Sequence, residues 1–188
     1  MPIDRGLFGW RLLLIDKNKQ TVFDKIKNIE DLSKLNAGLG HDWPDVDIFR
    51  NNQLQVSTSS SYEGLFQMLA RQHVDYFPRA VVEVWPEQAA HAHLNIAVDQ
   101  QLVVHYPTAA YFFVHKHNHF LANTLTRCLT QAVDDGSFNQ LFKQHFGEAI
   151  AKSNLGGRKI IHLQNPLLPA STPLNESKFW FSPEEDLE

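Results

Sequence analysis

The chain lacks most of the patterns that announce a chemistry. It has one cysteine, Cys128, which excludes an internal disulfide. Spaced among apolar residues, that thiol is expected in the core. Basic residues are not concentrated: 17 Lys and Arg against 21 Asp and Glu leave a net charge of -4, with no basic stripe of the kind that meets nucleic acid. No apolar run approaches the roughly 18 residues that a membrane span needs. Neither G-x-S-x-G nor H-E-x-x-H occurs, and no glycine-rich loop fits a P-loop, so no catalytic residue and no cofactor is assigned. The opening "MPIDRGLFGWRLLLID" carries an acidic residue early and reads as a strand, not as a secretory signal. There is no internal repeat.

What is present is an ordinary globular balance. Of 188 residues, 43% are hydrophobic and 20% charged, which suits one domain. Met1 reads as an added start codon. Leu187 and Glu188 read as a junction before a purification tag, so the chain is expected to be a piece of a longer protein.

Short strands alternate with helices. "GLFGWRLLLI" (6–15) is apolar and β-prone, and "QTVFDKIKNIEDLSKL" (20–35) holds one or two short helices. "NAGLGH" (36–41) is a short strand. "WPDVDIFRNN" (43–52) is a helix with Asp42 placed to cap it and Pro44 in its first turn. "LQVST" (54–58) alternates as a strand, and "SSYEGLFQMLARQ" (60–72) is amphipathic, with Leu65, Phe66 and Leu69 inward. "VDYF" (74–77) is a strand stopped by Pro78. "AVVEVWPEQAAHA" (80–92) is a helix bent or restarted at Pro86. "LNIAV" and "QLVVHY" are strands, followed by the apolar "AAYFFVHK" (109–116). Gly136 separates a long helix (119–136) from a second one (137–147). Residues 148–188, rich in Pro and Ser, are expected as an extended tail. This alternation predicts an α/β fold, a mostly parallel sheet flanked by helices, over residues 1–147. Ligands of open α/β sheets sit beyond the carboxyl ends of the strands, where residues 40–43, 58–62 and 77–80 fall.

The order of the blocks resembles the type 2 periplasmic solute-binding proteins, in the family-3 branch associated with polar amino acid uptake. "IKNIEDLSKLNAGLG" is similar to the family's I-x-x-L-x-D-L-x-G-x-x-V-G segment, and "SSYEGLFQMLARQHVDYFP" to its x-x-x-E-x-L-x-x-L-x-x-G-x-x-D-A segment. "YFFVHKHNHFLANTLTRCLTQAVDDGSFNQLFKQHFG" resembles its closing segment, a strand and two helices split by a D-G-[ST]-[FY] turn. The resemblance covers about residues 7 to 147 and matches the second lobe and the return into the first. It implies a lobe of the type 2 binding fold, periplasmic location, a small polar solute that is anionic or amino-acid-like, and an ABC permease as partner. The alternative it leaves open is an enzyme or a sensory module that reuses the fold.

On that resemblance, the loop of Gly40, His41, Asp42 and Trp43 meets a solute carboxylate at a helix N-terminus. Its free N–H groups favour an anion, and glycine lets a ligand near the backbone. The bland alternative is a capped helix that holds nothing. Arg79 stands beside Ala80, where amino-acid-binding members usually carry an Asp. Its guanidinium suits a carboxylate or phosphate, or else it is solvated or bridges lobes, with Glu83 as its ion-pair partner. Ser60 or Ser61 is an N-cap or a hydroxyl contact to solute, and Tyr62 and Phe77 are apolar walls. Asp42, Asp45, Glu63 and Glu83 lie near the edge without a spacing that demands acid–base work. "HKHNH" (115–119) is a solvated turn without a metal, and His91 and His93 are exposed and inert. The stripe of Phe138, Leu141 and Phe142 lacks a cover, which predicts a homodimer or a tail folded back over it.

Overall fold

The computed structural model describes residues 1–186; the junction read at Leu187 and Glu188 lies outside them. The elements run β1 (Trp10–Asp16), α1 (Gln20–Phe23), α2 (Ile29–Leu32), β2 (Asn36–Gly40), α3 (Asp45–Asn51), β3 (Gln55–Ser59), α4 (Tyr62–Ala70), β4 (Tyr76–Ala80), α5 (Val84–Ala90), β5 (Ile96–Val98), β6 (Leu102–His105), α6 (His119–Asp134), α7 (Ser137–Ser153), β7 (Lys159–His162) and α8 (Pro183–Asp186).

One sheet organises them, in the order β3-β2-β4-β1-β6-β7, with β5 also on β1. β1 runs antiparallel to β4, β5 and β6, while β2 is parallel to β3 and β4, and β6 to β7. Every strand but β1 therefore points the same way, the mostly parallel sheet expected. β1 is the centre, and its burial explains its composition. Trp10, Leu12 and Leu14 join the core on one face, with Leu65, Phe66 and Leu69 of α4. Leu13 and Ile15 join the core on the other, with Val46, Ile48 and Phe49 of α3. A strand covered on both faces reads as a continuous apolar run.

Pro78 does not stop its strand. It lies inside β4, opposite Leu13. The N–H of Val81 donates to the Trp10 carbonyl, so residues 77, 79 and 81 hold the hydrogen-bonding positions toward β1. The missing N–H of Pro78 falls between them and interrupts no bond to β1. α5 begins at Val84, with Pro86 in its first turn, where a proline is tolerated.

Three expectations fail in the second half. Residues 109–115 form no strand. They are held instead by single bonds, such as Ile3 N–H to the Ala110 carbonyl, and strand geometry needs a continuous ladder. Cys128 is exposed, not in the core, because no residue of α6 is buried. The boundary at 147 falls within α7, and residues 159–162 extend the sheet as β7 beside β6. The tail then returns over the first core, where Phe181 packs against Trp10 and Phe142. Phe142 is thereby buried, while Leu141 stays 53% exposed.

Candidate functional site

The carboxyl ends of β2, β3, β4, β6 and β7, and the amino end of β1, share one edge of the sheet. Arg11 and Arg79 stand there, on neighbouring strands, with Leu12 paired to Arg79 and Arg11 to Ala80. Both are buried, and buried charges need partners. Arg79 gives Nε and Nη2 to the two oxygens of Glu87, each at 2.7 Å, the fork-on-fork geometry that makes arginine a clamp. Its Nη2 also lies 3.1 Å from Glu83. Arg11 pairs with Asp45 at 2.9 Å, donates from Nε to the Tyr106 hydroxyl at 2.8 Å, and faces Glu83 at 3.5 Å. Burial works to lower both guanidiniums. The Glu87 bond and the charges of Glu83 and Glu87 outweigh it at Arg79, and Tyr106, Asp45 and Glu83 outweigh it at Arg11, so both end above their ordinary value.

Aromatic faces enclose Arg79. Its guanidinium carbon lies 4.9 Å from the centre of the Trp43 ring, 5.2 Å from Phe77 and 5.7 Å from Tyr62, within cation–π range. The Tyr62 hydroxyl donates to Glu87 at 2.7 Å. Burial and that bond raise the Tyr62 hydroxyl well above the usual tyrosine range. The sequence expectation that Arg79 and the 40–43 loop share an edge is met geometrically.

Several assigned roles change. Asp42 caps nothing: α3 starts only at Asp45, no side chain caps it, and the Asp42 side chain is 75% exposed. Asp45, which could have served the helix end, turns to Arg11 and Tyr106 instead. The space that Gly40 leaves is already filled, since a Cβ there would meet the Trp43 indole at 2.4 Å. The glycine admits Trp43, not a ligand. His41 is exposed, its N–H bonded to the Ser59 carbonyl. Ser61, not Ser60, caps α4 by accepting from the Gly64 N–H at 3.0 Å; Ser60 is exposed. Phe77 is fully buried beneath Trp43 and against Phe66, so it supports the edge and is no wall of it. His91 is buried, not inert. Its ring stacks on Phe66 at 3.6 Å, Nε2 lies 2.9 Å from Glu63 and Nδ1 2.8 Å from the Glu87 carbonyl. Burial lowers its pKa, but these two acceptors more than offset that and raise it. His115 accepts from the His117 N–H in the turn where Asn118 caps α6.

Glu87, Tyr106 and Arg11 were not singled out in the sequence. Glu87 sits eight residues beyond Arg79, past the turn into α5, and its partnership depends on how that turn folds. Arg11 carried a signal of its own, as the charged residue inside an apolar central strand.

No family model matches the chain, and no curated protein matches it. Solved structures do. The GluR0 ligand-binding core in complex with L-glutamate matches with a TM-score of 0.55 at 17% identity, over 73% of this chain and 59% of that one. An arginine-specific periplasmic binding protein of Salmonella typhimurium gives 0.53 at 14% identity, over 78% and 63%. A Bacillus subtilis protein gives 0.51 at 18% identity, over 82% and 63%. The chain thus spans about three fifths of the length of these structures. At such identities the likeness is one of fold: over that span, the chain has the type 2 periplasmic-binding-protein fold.

Proposed function

We propose that this chain is a solute-binding lobe that receives an amino-acid-like small molecule at the edge around Trp43, Tyr62 and Glu83. A second lobe closes over the solute by hinge motion, in an extracytoplasmic protein that serves an ABC-type permease. The observation that carries this reading is the Arg79 cluster: a buried guanidinium held rigidly between Trp43 and Tyr62 by Glu87, at the strand ends where open α/β sheets take their ligands. Matching folds that bind arginine and L-glutamate support it.

The charges favour one end of such a solute. Arg11 and Arg79 face three carboxylates, Asp45, Glu83 and Glu87, which leaves the cluster one unit negative. Arg79 gives Nε and Nη2 to Glu87, and Nη2 also faces Glu83, so its charge is already balanced without a solute carboxylate. The partly exposed Glu83 and the exposed Tyr62 ring instead suit the solute's ammonium group. Arg79 then acts by positioning Glu83, Glu87 and Tyr62.

Thermal shift with arginine, glutamate and the other amino acids tests this. A ligand at a hundred times its Kd stabilises by about 2.7 kcal/mol, a clear rise in Tm. Glu83→Gln should weaken that ligand by about tenfold or more, as loss of a charged hydrogen bond does. A folded chain whose Tm no amino acid moves would overturn the reading.

A further inference from the structure

Across β1 from the Arg79 cluster, the sheet edge opens into a cavity of about 410 Å³, lined by Trp10, His105, Arg158, Ile160, His162 and Phe181, with Glu184 exposed among its lining residues. Arg158 differs from Arg11 and Arg79. It donates from Nε to the Ser153 carbonyl at 2.6 Å, and from Nη1 to the carbonyls of Asp99 at 2.5 Å and Leu102 at 3.1 Å. Among the described residues it has no carboxylate within ion-pair distance. Asp99, whose charge does act on it, has its side-chain oxygens taken by Gln20 and by the N–H groups of Gln101 and Leu102. Burial lowers the Arg158 guanidinium below its ordinary value, the opposite of the other two.

Three carbonyl bonds fix the plane of this guanidinium and leave Nη2 without a protein acceptor among the described residues. A partly buried cation without an anion is a costly arrangement that a bound anion relieves. The rest of the lining fits an aromatic body. Trp10 and Phe181 meet edge to face at 6.0 Å, and Trp10 lies 4.1 Å from the His105 ring. His105 and His162 are register partners with Nδ1 atoms 3.4 Å apart. The neutral ring that accepts in that pair carries its proton on Nε2, a second donor. The volume lies within the roughly 300 to 1,000 Å³ of small-molecule sites.

We propose that this cavity is a second binding site, for a small carboxylate with an aromatic body, its anion received by Arg158 and its ring by Trp10 and Phe181. The site is separate from the one that the proposed function uses. Calorimetric titration of the whole chain with phenylacetate, and with phenylacetamide as its neutral counterpart, tests it. Phenylacetate should bind saturably and phenylacetamide about ten- to hundredfold more weakly, the loss of one charged hydrogen bond. Arg158→Gln should reduce phenylacetate binding by a similar factor. Because Arg158 also ties down three carbonyls, Ile160→Trp provides a second variant, which fills the cavity and leaves those bonds in place; it should abolish phenylacetate binding and leave amino acid binding at the other site unchanged. Absence of phenylacetate binding to the folded chain, equal binding of phenylacetamide, or undiminished binding by Ile160→Trp would overturn the proposal.

Discussion

Arg11 and Arg79 project from opposite faces of the sheet, and the carboxylate of Glu83 reaches both around its edge, at 3.5 and 3.1 Å. The same carboxylate accepts the Ala80 N–H at 3.1 Å, which pins it to the end of β4. The two cores are thus tied together electrostatically where the strands end.

The two acids around Arg79 should differ in weight. Glu87→Gln removes a bidentate partner of a buried guanidinium, and should lower unfolding stability in urea by about 1.5 to 3 kcal/mol. Glu83→Gln, with its side chain 30% exposed, should lower it by less than about 1 kcal/mol. Equal losses would mean that Glu87 is not the principal partner.

Gly40→Ala should drive the Trp43 indole off its place, because the added Cβ meets it at 2.4 Å. Overpacking of this kind costs about 1 to 3 kcal/mol. Near-ultraviolet circular dichroism should change with it. An unaltered spectrum and melting curve would show that the loop absorbs the methyl group.

His91 should make stability pH-dependent. Its folded pKa is raised, so its contribution is fully present below the unfolded value of about 6.5 and is lost as pH rises through the folded value. Glu63 is largely exposed, which keeps the effect under about 1 kcal/mol. Comparing urea unfolding at acid and alkaline pH for the wild type and His91→Gln isolates it. The loss on substitution should be larger at mildly acid pH than at alkaline pH, where only the packing of the ring on Phe66 remains to be lost; a constant difference would remove His91 from the pH response.

Phe112, Phe113 and Phe120 are 59%, 92% and 83% exposed, the first two just before α6 and the third in the first turn of that helix, which has no buried residue. Apolar patches of this kind drive association. Sedimentation velocity should show mass increasing with concentration, and Phe113→Ser with Phe120→Ser should suppress it. A sharp 21.5 kDa species at all concentrations would show that the patch is tolerated in water.

Periodicity alone determined the alternation of strands and helices, the inward residues Leu65, Phe66 and Leu69, and the α/β class. Those depend on whether neighbouring side chains can share a face, which a local pattern records. The edge where the strands end, and which loops share it, was legible too, because strand direction follows from βαβ order. Tertiary structure decided the rest. Arg79 read equally well as an anion clamp or a bridging arginine, until the turn into α5 brought Glu87 onto both of its nitrogens. Phe77 was a wall or a floor according to what covers β4. His91 was exposed or buried according to whether Phe66 offers its face. α6 carries apolar residues at helical spacing, yet buries none. Periodicity states which side of a helix wants cover, and only the packed chain states whether anything is there.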